Sequence, residues 1–130
     1  MSIPTNVLAL PVADAVMETG TNEDWIDCFV YYVDDGTTTP PQLDLRGIDF
    51  ELEVRRTPPD NEVILMATTK NGSILRGFPP NVGYLIFNIS DEAMASRSPG
   101  TYVGELRADD GIYRRVTIHI DLTIQQGITR

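Results

Sequence analysis

"RVTIHIDLTI", residues 115–124, alternates without a break: Val116, Ile118, Ile120, Leu122 and Ile124 fall on one side, and Arg115, Thr117, His119, Asp121 and Thr123 on the other. Successive side chains of an extended strand point to opposite faces, so this period of two describes a strand with one face on a core and one in water. "IDFELEVRR", residues 48–56, repeats the pattern, with Ile48, Phe50, Leu52 and Val54 facing in and Asp49, Glu51, Glu53 and Arg55 facing out. Two such anchors make the chain a β protein.

Working outward, "EVILMATT" at 62–69, "SILRG" at 73–77, "YLIFNIS" at 84–90 and "TYVGELRA" at 101–108 read as short strands. "WIDCFVYYV" at 25–33 is apolar on both faces, Ile26, Cys28, Val30 and Tyr32 on one and Trp25, Phe29, Tyr31 and Val33 on the other. A strand of that kind is central or lies under a neighbour, and its register is expected to turn Cys28 into the core. Turn residues punctuate the strands at "DDGTTTPP" 34–41, "TPPDN" 57–61, "KNG" 70–72, "GFPPN" 77–81 and "ADDG" 108–111. Only "SDEAMASR" at 90–97 suits a helical turn, with Ser90 as N-cap and Asp91 and Glu92 in the first turn. In "SPGTYVGELRADDG", 98–111, Tyr102 is expected to act as a corner tyrosine with its hydroxyl on a nearby carbonyl, and Asp110-Gly111 to reverse the chain.

About seven short strands at this spacing predict an all-β, immunoglobulin-like antiparallel sandwich, because each sheet hides its apolar face only against another; a small closed barrel is the alternative. The expected organisation is an N-terminal arm at 1–23, one sandwich domain at 24–124 and a polar tail at 125–130. The arm has no clear period, and Pro4, Pro11 and Gly20 bar a long helix. Its apolar residues Val7, Leu8, Leu10, Val12, Val16 and Met17, with Trp25 beyond it, are the expected partner-binding residues, packing on their own domain or adding to a neighbouring subunit's sheet edge.

Composition excludes several classes of function. The net charge of −9, with Lys70 the single lysine, opposes a phosphate backbone, so no nucleic-acid partner is expected. No apolar run reaches the length of a membrane span, and the start of the chain lacks the basic flank of a signal peptide. One cysteine, Cys28, rules out an intrachain disulfide and a multi-thiolate zinc site. The lone histidine, His119, sits on the polar face of its strand, away from any nucleophile and base pairing. The two "DDG" stretches read as Asp-Gly turns, and no phosphate-cradling glycine loop occurs. No catalytic residue, cofactor or metal is expected.

The run "DWIDCFVYYVDDG…LDLRGIDFELEVRRTPPDNEVILMATTKNGSI…GYLIFNISDEAMASRSPGTYVGELRADDGIYRRVTIHIDLTI", residues 24–124, resembles small immunoglobulin-like sandwich proteins of phage and prophage tail gene clusters. It is also similar to the N-terminal domain of siphophage upper baseplate proteins. The resemblance lies in the apolar first strand, "LDLRG" before an alternating strand ending in arginines, "PGTY", and a final hairpin through "DG". It implies a virion structural protein of the tail, baseplate or head-to-tail region, assembled in the host cytoplasm and meeting other virion proteins or further copies of itself. It offers no catalytic residues. A carbohydrate-recognition module stacking sugars on Trp25, Tyr31, Tyr84 and Tyr113 is the alternative from another class, and a capsid decoration protein is a variant of the first.

Overall fold

A computed structural model describes residues 13–21, 23–32, 36–56, 62–95 and 98–126. Among these described residues eight strands and one short helix follow in order: β1 (Ala13–Gly20), β2 (Trp25–Val30), β3 (Asp49–Arg56), β4 (Leu65–Thr68), β5 (Ile74–Arg76), β6 (Tyr84–Ile89), α1 (Asp91–Ala95), β7 (Gly100–Asp109) and β8 (Arg114–Gln125). They form a five-stranded sheet, β1-β8-β7-β3-β4, and a three-stranded sheet, β2-β6-β5. The molecule is therefore an all-β, two-sheet sandwich and not a closed barrel.

The alternating strands take the positions their pattern requires. Phe50, Leu52 and Val54 of β3, Leu106 and Ala108 of β7 and Ile118, Ile120, Leu122 and Ile124 of β8 meet Leu85, Phe87 and Ile89 of β6 in one core. Burying each of the larger of these side chains stabilises the fold by roughly 1.5–3 kcal/mol. Gly104 lets β7 lie close to its neighbours, since a Cβ there would stand 3.3 Å from Ile120 Cβ. Ser90 caps α1 as the sequence predicts, its Oγ accepting the Ala93 N–H at 3.2 Å. Asp24 Oδ1 takes the Asp91 N–H at 2.7 Å, so the helix is pinned to the entrance of β2.

Four sequence expectations change. Residues 13–20 of the expected arm form a strand on their own domain, β1 pairing in parallel with β8 from Ala13↔Ile118 to Gly20↔Gln125, and β8 runs into the expected tail as far as Gln125. Cys28 is exposed, because Trp25, Phe29 and Tyr31 take the inner side of β2 and alternation sends Ile26, Cys28 and Val30 outward. Trp25 is 1% exposed and belongs to the core. The register of β8 also slips: a bulge opposite Leu106/Arg107 pairs Ile118 with Leu106 but Val116 with Arg107. Thr117 is consequently buried and Val116 joins the outer side, the reverse of strict alternation.

Two buried tyrosines hold their hydroxyls differently. Tyr102 donates to the Ser98 carbonyl, the corner contact expected from the sequence. The Tyr31 hydroxyl is enclosed without a hydrogen-bond partner, and Thr117 beside it donates instead to the Leu106 carbonyl at 3.2 Å. Burial pushes the Tyr31 pKa above its ordinary value, partly offset by the Thr117 side chain. The same substitution should therefore have unequal effects. Tyr102→Phe is expected to cost about 1 kcal/mol in urea unfolding, whereas Tyr31→Phe, which removes an unpaired polar atom, is expected to be neutral or stabilising. Equal losses would contradict this account of the two hydroxyls.

Candidate functional site

The two outer faces of the sandwich are chemically opposite. On the large sheet, Glu53 and Glu105 stand directly across from one another on β3 and β7, a like-charge pairing that is unfavourable alone. Two arginines offset it: Arg107 Nη1 lies 2.7 Å from Glu53 Oε1, and Arg55 reaches Glu53 at 3.3 Å and Glu105 at 3.7 Å. Arg114 meets Asp109 at 3.6 Å across β7 and β8. His119 is exposed here and stands in register with Glu105 and Asp14.

Among the described residues the outward positions on the strands of the small sheet carry no charged side chain. The paired residues Ile26↔Asn88, Cys28↔Ile86 and Val30↔Tyr84, with Leu75 beside Ile86, make up its outer side. Ile26 is 61% exposed and Leu75 42%. Phe78, just past β5, is 84% exposed and, with Leu75, Pro79, Tyr84, Ile86 and the charged Arg76, lines an open groove of ≈ 390 Å³. Isolated exposed apolar residues are ordinary, but a contiguous set on one uncharged sheet face marks a surface built for contact.

The expected partner-binding residues are not brought together. Val7, Leu8, Leu10 and Val12 lie outside the described residues. Val16 stands exposed on β1, while Met17 packs partly against the core and Trp25 is inside it. Trp25 spends its ring on Phe87 (5.3 Å, edge to face) and its indole N–H on Asp27 Oδ2 at 2.7 Å. Sequence reasoning missed Ile26, Leu75, Phe78 and Ile86 as a surface. The signal was present in the two-sided apolarity of "WIDCFVYYV", since one face of such a strand needs a cover beyond the core.

Among the described residues no group of three or more His, Cys, Asp or Glu is arranged to hold a metal ion. The second "DDG" is used by the backbone: Asp109 Oδ1 accepts the Gly111 N–H at 2.8 Å, and Asp110 Oδ1 those of Ile112 and Tyr113 at 2.9 and 2.8 Å. Asp34 and Asp35 of the first lie outside the described residues. Compared with known proteins, the chain matches no protein-family profile and no curated sequence.

Cys28 lies in the middle of the uncharged face and reports on it. Burial, and then the negative charge of Asp27, push its thiol above the ordinary value. A raised pKa lowers the thiolate fraction at any given pH, so the alkylation rate should reach half its plateau at higher pH than for a free cysteine peptide. Asp27→Asn should shift that midpoint downward. A midpoint at or below that of the free peptide would refute the assignment.

Proposed function

We propose that this chain is a non-enzymatic structural module of a phage particle, belonging to the tail, baseplate or head-to-tail region, and that it docks on neighbouring virion proteins or further copies through the outer face of its small sheet. The observation that carries the docking is the apolar surface of Ile26, Val30, Leu75, Phe78 and Ile86, with Arg76 at its groove, on a chain of net charge −9. The sequence resemblance over residues 24–124 supports the virion setting. The strand order supports the immunoglobulin-like reading, with the first strand lying parallel to the last at one edge of the larger sheet. A capsid decoration role is the same reading at another position in the particle.

The carbohydrate alternative is less well supported, because Trp25 and Tyr31 are 1% and 4% exposed and offer no stacking face. Charge placed on the small sheet tests the docking. Ile26→Asp with Leu75→Asp replaces exposed side chains, so circular dichroism and melting should change little. Incorporation of the chain into particles is expected to fall at least tenfold. Normal incorporation of a folded double variant would remove the face from the proposal.

A further inference from the structure

Two turns at one end of the sandwich hold large apolar side chains out in water. Ile112, at the tip of the β7–β8 hairpin, is 82% exposed with Tyr113 beside it, and Phe78, just past β5, is 84% exposed. Both turns are fixed by hydrogen bonds. Asp109 and Asp110 hold the Gly111, Ile112 and Tyr113 amides, and the Asp110 N–H donates to the Tyr113 carbonyl at 3.2 Å. The Phe78 carbonyl accepts the Asn81 N–H at 2.6 Å, and the Gly77 N–H donates to the Tyr84 carbonyl at 2.9 Å. These bonds come from the backbone and from aspartates, so a polar residue at 112 or 78 would serve either turn as well. Apolar side chains displayed on ordered turns are prepared for contact, since little backbone freedom is left to lose on binding.

The two turns lie at the same end. β7 finishes where β3 starts, Asp109 opposite Asp49, and the hairpin tip continues past that pair. Asp49 meets Arg76, the last residue of β5, at 3.6 Å, and Arg76 Nη1 donates to the Ile48 carbonyl at 2.6 Å, which brings the turn of Phe78 to the start of β3 as well. Beside Phe78 lies a second open recess, of ≈ 320 Å³, bounded by Arg46, Thr69, Ile74, Leu75, Arg76 and Pro79. The charge here is unlike that of the whole chain. Residues 44–49, 69–79 and 109–115 carry five basic side chains, Arg46, Lys70, Arg76, Arg114 and Arg115, against four aspartates, leaving five basic and fifteen acidic residues for the rest of the chain. Like charge therefore opposes contact between copies elsewhere far more than at this end.

We infer that this end of the sandwich is a two-fold contact between copies of the chain, in which Ile112 of each copy enters the recess beside Phe78 of the other; it rests on the proposed assembly role and adds an end-on contact to the docking face. A closed two-fold pair needs one patch that holds both a projection and a recess to receive it, and this end holds both. The charged residues lining the recess are Arg46 and Arg76, held by Asp44 and Asp49, which suits a tip that carries Asp109 and Asp110.

Light scattering of the full chain at several concentrations reads the pairing directly. The mass should rise from that of the monomer toward twice that value, and Ile112→Ser and Phe78→Ser should each raise the dissociation constant at least tenfold, with circular dichroism unchanged because both side chains are exposed. A mixture of the two variants gives a mixed pair one intact projection and one intact recess, so it should hold more dimer than either variant alone at the same total concentration. A full chain that stays monomeric overturns the inference. So does association indifferent to both substitutions, or a mixture with no more dimer than its components. A monomeric full chain together with loss of particle incorporation in Ile26→Asp/Leu75→Asp would remove the end contact and leave docking through the face standing. Dimers that respond as described, beside normal incorporation of that double variant, would keep the end contact and remove the face.

Discussion

The aromatic contacts that draw the inner side of β2 onto the core decide the rest of the structure. Trp25 and Phe29 of β2 both meet Phe87 of β6 edge to face, at 5.3 and 5.5 Å, and Tyr31 reaches across to Phe50 of the large sheet at 6.1 Å. Such pairs add roughly 0.5–1.5 kcal/mol each beyond the area they bury. Their larger effect is on register. Once Trp25, Phe29 and Tyr31 are drawn inward, alternation leaves Ile26, Cys28 and Val30 no position except the outer face. A three-stranded sheet has no second layer of its own to cover them.

The bulge in β8 belongs to the same constraint. Without it, Val116 would point inward beneath Tyr31; with it, Thr117 occupies that place and bonds to Leu106. The tyrosine ring is accommodated, but its hydroxyl gains no partner. Beyond the bulge the remaining residues of β8 keep the period that the sequence shows, and Ile118, Ile120, Leu122 and Ile124 all face the core. One irregular residue thus separates the long regular part of β8 from the hairpin that Asp109 and Asp110 fold.

Periodicity made β3, β7 and most of β8 legible, because each has one wet face and one dry face and so writes its burial into its sequence. Tyr102 and Ser90 were legible for a different reason, each being a polar group next to the backbone atom it must satisfy. β2 was visible as a strand but ambiguous in facing, since two apolar faces carry no preference, and the choice rested on ring contacts made with β6 and β3. β1 was not legible at all. "ADAVMETG" has no clean alternation because it is an edge strand whose pairing comes from β8, more than ninety residues away in the chain, and a parallel partner leaves no turn signal between them. The surface of the small sheet was hidden by the same ambiguity that reversed Cys28.

The distribution of charge explains why an exposed apolar face persists on such a chain. A sheet of carboxylates set against another copy would be repelled, and the large sheet already needs Arg55 and Arg107 to tolerate its own Glu53 and Glu105. Contact is favoured where no charge has to be stripped of water, and the outer side of β2, β6 and β5 is such a place.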